Sequence, residues 1–378
     1  YKTMTKVLIV CYGFGYGGIR ACIQNYVSHI DRDKFQIDIY AYGVKESPFK
    51  EQFESMGCKM FLDPTNDIAT NKIMRFVGKL RTYIKEGQYD VVHAHCNLIS
   101  AWVTLAAKLA GAKVRISHSH STAHFSGKFI QNCWCYLRRW IINYTATTKM
   151  ACGKQAGLTM YGNSQRVIVL PNGIDINRYY KLDEGKIAAL RKEFDIQPGV
   201  KVYMNITRFD RQKNLPFAAK IFKEIHEIEP TSILIFGGTV SDLEDNRNII
   251  KEFVVQNGLS DFVRFVGPRM DIQHLYHLSD CWIFPSKFEG LPFCPIELQA
   301  ASIPCLASDV ITNEIDLGLG LIEFMSLDES PKEWAEKAIL MSKKIISYEV
   351  ILKAFQDHDF DIRTNVKKLE SIYKGELK

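Results

Sequence analysis

The stretch Phe288-Glu289-Gly290-Leu291-Pro292-Phe293-Cys294-Pro295-Ile296-Glu297-Leu298-Gln299-Ala300 sets two glutamates eight residues apart around a Gly-Leu-Pro turn. The apolar run before it, Asp280 to Ser286, predicts a buried strand, and Ile296 to Ser302 predicts a helix. The turn therefore falls at the carboxyl end of a strand where a helix begins, which is where open α/β sheets bind ligands. Glu289 lies on the loop and Glu297 in the first turns of the helix. Between them the backbone amides of Gly290, Leu291 and Phe293 suit sugar hydroxyls and phosphate oxygens. Pro292 and Pro295 remove two donors but stiffen the turn.

The same wiring extends outward. Val7 to Cys11, Ile37 to Tyr40, Asp90 to His95 and Val114 to His118 are strand-like, and Arg20 to Ile30, Ile73 to Lys85 and Ser100 to Leu109 are amphipathic helices between them. Strand-helix alternation of this kind implies a parallel sheet. After Val167 to Gly173 the pattern loosens into a charged connector, Arg178 to Pro198. It then begins afresh with Val202 to Ile206, Leu215 to Ile228 and Ile233 to Phe236, and continues through Val263 to Val266, Cys281 to Phe284 and Pro304 to Ala307. The expected organisation is two doubly wound α/β domains, residues 1–178 and 179–360. A last helix within 361–378 could pack on either, and pattern alone does not place it.

At 378 residues and 47% hydrophobic content the chain can bury two cores. Its ten cysteines are scattered through apolar stretches without a Cys-x-x-Cys pair, as expected of reduced thiols in the cytoplasm. The start runs directly from Tyr1 into strand-like Lys6 to Val10, so no leader segment is expected, and no apolar run approaches a membrane span. Charge is uneven: residues 1–170 hold 22 Lys and Arg against 10 Asp and Glu, and no acidic residue occurs from Val91 to Ile174. Lys108, Lys113, Arg115, Lys128, Arg138, Arg139, Lys149, Lys154 and Arg166 all fall in that interval. Such a surface suits an anionic membrane face or a pyrophosphate-linked lipid. With no groove-reading module apparent, nucleic acid is not an expected partner. Phe129 to Ile142, aromatic and carrying Arg138 and Arg139, reads either as a packed helix or as one lying on a membrane surface.

Three further groups bear on chemistry. Gly13-Phe14-Gly15-Tyr16-Gly17-Gly18 contains a Gly-x-Gly-x-x-Gly with Asp38 twenty residues beyond Gly18. Asp38, however, sits inside its strand pattern, so a mouth that lets a diphosphate or sugar reach the helix amides is a better reading than a dinucleotide site. Arg208 and Lys213 follow the first strand of the second domain and offer a fork and a point charge to a diphosphate. His93, His95, His118, His120 and His124 form the third group. No carboxylate lies near them in sequence and Cys96 lacks ligand spacing, so no metal is expected, and His118 and His120 end a strand where they can line an active cleft. His274 and His277 read as helix surface.

Gly17-Gly18, the strand-end histidines, Pro171 to Asp175, Arg208 with Lys213, Pro285-Ser286, Glu289 to Glu297 and Pro304 together resemble the retaining GT-B glycosyltransferases of family 4. Gln299 to Asp309 and Ser326 to Ala335 are similar to its capsular and exopolysaccharide branch. The resemblance implies two Rossmann-like domains facing each other across a cleft, an N-terminal one for the acceptor and a C-terminal one for the donor. It implies that Glu289 faces the donor sugar, that Glu297 holds the nucleotide ribose and that Arg208 and Lys213 hold the diphosphate. It implies also that His120, with His118 as the alternative, lies near the reacting sugar. Thr207, Leu298 and Ser302 depart from the residues common at those positions and leave the detailed donor fit open.

The expected activity is transfer of a hexose or N-acetylhexosamine, with retention, from a nucleotide sugar, UDP-linked for preference, to a hydroxyl of a lipid-linked polysaccharide precursor. No metal or other cofactor is expected, because Arg208, Lys213 and helix amides can supply positive potential to the leaving diphosphate. Such an enzyme works in the cytoplasm, in peripheral contact with the inner face of the membrane. The alternatives are a catalytically silent partner subunit, against which the set of Glu289, Glu297, Arg208 and Lys213 argues, and another nucleotide-sugar enzyme such as an epimerase.

Overall fold

The computed structural model describes residues 4–65, 67–68, 72–121, 129–163, 166–240, 245–341 and 343–377. The chain divides into two compact units, Tyr1–Gly173 with Asp359–Lys378, and Ile174–His358. The first unit carries strands β1 (Thr5–Tyr12), β2 (Phe35–Tyr42), β3 (Met60–Asp63), β4 (Val91–His95), β5 (Val114–Ser119), β6 (Thr148–Ala151) and β7 (Ile168–Val169). The second carries β8 (Val202–Ile206), β9 (Ile233–Gly237), β10 (Val263–Val266), β11 (Cys281–Phe284), β12 (Cys305–Ser308) and β13 (Ile322–Met325).

Both sheets are parallel and doubly wound, in the orders β3-β2-β1-β4-β5-β6-β7 and β10-β9-β8-β11-β12-β13. Their central strands are covered on both faces, so they read as unbroken apolar runs: Val7, Leu8 and Val10 of β1 and Trp282 and Ile283 of β11 are fully buried. Strand order reverses between β1 and β4 and again between β8 and β11. Loops diverge at such a reversal and leave a crevice at the carboxyl ends of the strands. The glycine-rich loop follows β1, the Arg208–Lys213 loop follows β8 and the Glu289 loop follows β11, so each candidate loop opens at one of these two points.

The final helix, Ile362–Tyr373, belongs to the first unit. Its Tyr373 hydroxyl meets His93 Nδ1 at 2.9 Å, its Asn365 amide donates to the Pro171 carbonyl at 3.1 Å, and Glu370 accepts from the Asp31 backbone N–H at 2.9 Å. A Cβ at Gly173 would come within 3.1 Å of the Ile362 backbone, so the chain crosses there on a side chain of no size.

The charged connector is ordered where the sequence pattern loosens. Helices Ile176–Tyr180 and Glu184–Glu193 occupy it, and Asp175 and Asp183 cap them by accepting from the backbone N–H groups of Asn177 and Lys186. Within Val167 to Gly173, after which the pattern loosens, only the edge pair Ile168–Val169 is strand. The helix expected from Ile296 begins at Phe293 with Pro292 as its N-cap, and Pro295 is tolerated because a first-turn residue has no intrahelical partner for its missing N–H.

Candidate active site

In the second unit four side chains from two loops form one hydrogen-bonded set. Lys213 Nζ lies 2.6 Å from Glu289 Oε1 in an ion pair whose side chains are only 14 and 7% exposed. Gln212 Nε2 donates to the other oxygen, Glu289 Oε2, at 2.9 Å, and to the Phe288 carbonyl at 3.0 Å. Gln212 Oε1 in turn accepts from Arg208 Nη2 at 3.3 Å. Asp210 steadies the β8 loop from behind, accepting the Lys213 backbone N–H at 3.1 Å and pairing with Arg208 at 3.3 Å. Arg208 stays half exposed, so its guanidinium is the member of the set most open to solvent.

Two backbone contacts fix these loops. The Lys287 N–H donates to the Gln212 carbonyl at 2.8 Å and ties the β8 and β11 loops together. Gly238, at the end of β9, has φ +122°, and a Cβ there would stand 2.0 Å from the Thr207 carbonyl oxygen. Only glycine allows the β9 end to approach the residue that precedes Arg208. At the end of β11, the buried Ser286 hydroxyl has no hydrogen-bond partner among the described residues.

Glu297 stands apart from this set. Its side chain is 8% exposed and both oxygens accept from tyrosines, Oε1 from the Tyr179 hydroxyl at 2.7 Å and Oε2 from the Tyr276 hydroxyl at 2.5 Å. Burial first, and the adjacent Glu297 carboxylate second, push the Tyr276 phenol far up, so it remains a donor at all ordinary pH. Each carboxylate oxygen keeps further lone-pair capacity for a ligand hydroxyl. His277, expected on the helix surface, is instead largely buried, and its Nε2 meets the Tyr179 carbonyl at 2.7 Å; burial lowers its pKa. It pins the helix that carries Tyr179.

In the first unit, Gly13 takes the left-handed turn that ends β1, and its N–H donates to the Tyr42 carbonyl at 2.9 Å. Gly17 caps the helix Gly18–His29 in extended conformation without a side-chain bond, and a Cβ at Gly15 or Gly17 would meet nothing within 4 Å. The protein's own packing does not require those two glycines. Asp38 is spent inside the fold, accepting from the Tyr89 hydroxyl and the Lys59 backbone N–H at 2.9 Å each, so it is not placed at a strand end for a ribose.

His93 and His95 on β4, His118 on β5 and His120 just after it form two ring pairs. His93 Nε2 lies 3.1 Å from His118 Nδ1, and His95 Nδ1 lies 2.8 Å from His120 Nε2. The His120 backbone N–H donates to Asn97 Oδ1 at 2.9 Å, and Asn97 holds a left-handed φ of 47° to present it. His118 is 1% exposed, and its Nε2 lacks a partner among the described residues. Burial pushes the His120 imidazole down to about 4, and burial with the neighbouring rings holds His93, His95 and His118 well below the ordinary histidine value. All four are neutral at pH 7. Of the two candidates for the reacting sugar, His118 is sealed among aromatic rings and His120 lies nearer the surface at the strand end. His124 lies outside the described residues.

Nitrogens of His93, His95 and His118 come within 4.8 Å of one another, a spacing from which imidazoles could reach a metal ion. Three neutral imidazoles can ligate zinc, and in this structure the ring pairing uses nitrogens of all three.

The sequence expectations brought together Arg208, Lys213 and Glu289. Gln212, which bridges them, and Tyr179, Tyr276 and Asn97 were not singled out as site residues, whereas His95 was read within the histidine group. Gln212 had a signal, since it stands between two site cations in the loop; the tyrosines and Asn97 act from separate elements and had none.

Comparison with known proteins identifies the family and the fold. The family model for glycosyl transferases group 1 matches residues 186–341, and that for Glycosyltransferase Family 4 matches residues 16–178. EpsF of Bacillus subtilis (strain 168), which bears the name of a glycosyltransferase, is 32% identical over 98% of this chain and 97% of its own. The chain belongs to the family 4 glycosyltransferases. Another relative of this glycosyltransferase is the UDP-Gal:alpha-D-GlcNAc-diphosphoundecaprenol alpha-1,3-galactosyltransferase of Escherichia coli, 26% identical over 78% of each chain. In fold it is similar to Anabaena HepE, solved with UDP and glucose, at a TM-score of 0.78 and 19% identity over 98% of this chain and 99% of that one. The fold is therefore GT-B. Among the described residues no helix is long and apolar enough to cross a membrane.

Proposed function

We propose that this glycosyltransferase moves a hexose or N-acetylhexosamine from a UDP-sugar to a sugar hydroxyl on a lipid-linked precursor of a surface polysaccharide, with retention and without a metal. The observation that carries the reading is the Lys213–Glu289–Gln212–Arg208 set at the β8/β11 reversal. An ammonium has three donors, so Lys213 keeps two for a diphosphate while it holds Glu289, and Arg208 adds a bidentate fork. Positive charge fixed in this way stabilises the diphosphate as its bond to the sugar breaks. Glu289, with both oxygens held, is oriented toward the donor sugar, and Glu297 offers its remaining lone pairs to the ribose hydroxyls. The amides of Gly290, Leu291 and Phe293 serve the same ligand.

In the proposed step the acceptor hydroxyl attacks the anomeric carbon on the face from which the diphosphate leaves. The bond from that carbon to the phosphate oxygen breaks, and this oxygen takes the acceptor proton. His120, neutral at working pH, is assigned to a hydroxyl of the reacting sugar as a hydrogen-bond partner and takes no proton from the acceptor. The UDP donor and the lipid-linked acceptor are supported by the names of the Escherichia coli relative and of the HepE complexes, and the polysaccharide setting by the Staphylococcus aureus relative CapH, named for capsular polysaccharide biosynthesis. The test is slow nucleotide release from UDP-, GDP- and ADP-sugars, in EDTA and without acceptor. Release from a UDP-sugar, abolished in Lys213→Ala, is expected; release that needs added divalent metal, or that Lys213→Ala leaves intact, would overturn the reading.

A further inference from the structure

The helix Phe129–Thr145 has two unlike faces. On one, Cys135, Ile142 and Thr145 are buried, the Thr145 hydroxyl lies 2.7 Å from Thr104 Oγ1, and Arg139 caps the Thr159 and Met160 carbonyls at 2.6 and 3.0 Å. On the other, spacings of three and four align Trp134, Leu137, Trp140 and Tyr144, which are 49, 41, 64 and 67% exposed. The chain has five tryptophans, and Trp102, Trp282 and Trp334 are buried, so both exposed indoles stand on this one face. Trp140 stacks on Tyr144 with ring planes 5° apart, and the Lys108 ammonium sits 3.6 Å from the Tyr144 ring centre.

An exposed stripe of three aromatic rings and a leucine, with the Lys108 ammonium beside it, marks an interaction surface. Its surroundings choose the occupant. The Lys108 ammonium lies on this face and no carboxylate occurs in the chain from Val91 to Ile174, so two copies meeting through it would bring like charge onto like. Amphipathic indole and phenol rings beside basic side chains suit the headgroup layer of an anionic bilayer. We propose that the exposed face of Phe129–Thr145 docks the protein on an anionic membrane surface, with Trp134 and Trp140 seated at headgroup depth. Its purpose, delivery to a lipid-linked acceptor, rests on the proposed function; the docking rests on this surface alone.

The test is cosedimentation of the full chain with phosphatidylcholine vesicles, with and without phosphatidylglycerol, alongside quenching of tryptophan fluorescence by brominated lipid. Binding to the anionic vesicles with quenching is expected, together with a loss of roughly tenfold or more in partitioning for Trp134→Ser/Trp140→Ser. Acceptor-free nucleotide release should be unchanged in that variant, which shows that it is folded. Lys108→Glu, which reverses one flanking charge, should weaken binding as well. Equal partitioning of parent and double variant, or no binding to either vesicle, would overturn the proposal. Self-association that depends on the two indoles would assign the face to a second copy instead. Absence of nucleotide release in the parent would sink the transferase reading and leave the vesicle result to stand by itself.

Discussion

Replacing Glu297 by alanine should damage the fold of the second unit before it reports on any ligand. The carboxylate is the acceptor for two buried phenols, Tyr179 and Tyr276, at 2.7 and 2.5 Å. A buried donor left without a partner costs about 1–3 kcal/mol, so the pair would cost about 2–6 kcal/mol unless water enters. Glu297→Gln keeps one carbonyl acceptor, and its amide can donate to the second hydroxyl, so it should cost well under half as much. Hydrogen exchange over the helix Ile272–Leu278, which carries Tyr276, measures the loss directly. A thermodynamic cycle isolates the cause. In a Tyr179→Phe/Tyr276→Phe background the carboxylate is already buried without those donors, so removing it should be far cheaper and can even stabilise. If Glu297→Ala costs the same in both backgrounds, or less than about 0.5 kcal/mol in the parent, the two hydroxyls are not what the carboxylate holds. Donor affinity at this position is therefore best read with Glu297→Gln.

Two other outcomes follow from the geometry. His93, His95, His118 and His120 have folded pKa values below that of the unfolded chain, so protonation favours unfolding: their contribution is intact above about pH 6.5 and is lost as pH falls toward 4. For His120 alone the loss between pH 7.5 and 5 is about 2 kcal/mol, and amide exchange in Val91–His95, corrected for intrinsic rate, should rise accordingly; unchanged protection at pH 5 would refute the neutral network. Gly238→Ala should destabilise the second unit by about 3 kcal/mol or more, because the clash is with the Thr207 backbone, and it should weaken nucleotide binding by shifting Arg208; a melting temperature within error of the parent would show that the loop gives way freely.

The sequence disclosed those parts of the molecule that depend on local pattern. Leu215–Ile228, Val263–Val266 and Cys281–Phe284 have the very bounds that periodicity suggests, because each is a full apolar element between clear turn residues. The helix Glu184–Glu193 escaped notice because only Leu190 is buried in it, too little to mark a face. Short strands such as β6 and β7 lie toward the sheet edge and carry little apolar run of their own. In the site, Arg208, Lys213 and Glu289 were legible as charges at strand ends. That Gln212 bridges them, and that Glu297 answers to two tyrosines 118 and 21 residues away, depends on tertiary placement that spacing does not encode. The final helix likewise joins the first unit by burying Ile362, Val366, Leu369, Ile372 and Tyr373 and by polar contacts to His93, Asp31 and Pro171, a choice of unit that its pattern does not announce.

The measurement that tests the central claim most directly is the anomeric configuration of the sugar first released from a UDP-α-sugar by the enzyme in EDTA, followed by proton NMR before the anomers equilibrate. The account predicts the α-anomer, formed without metal and absent in Lys213→Ala. Initial release of the β-anomer, or release only when divalent metal is restored, would contradict it.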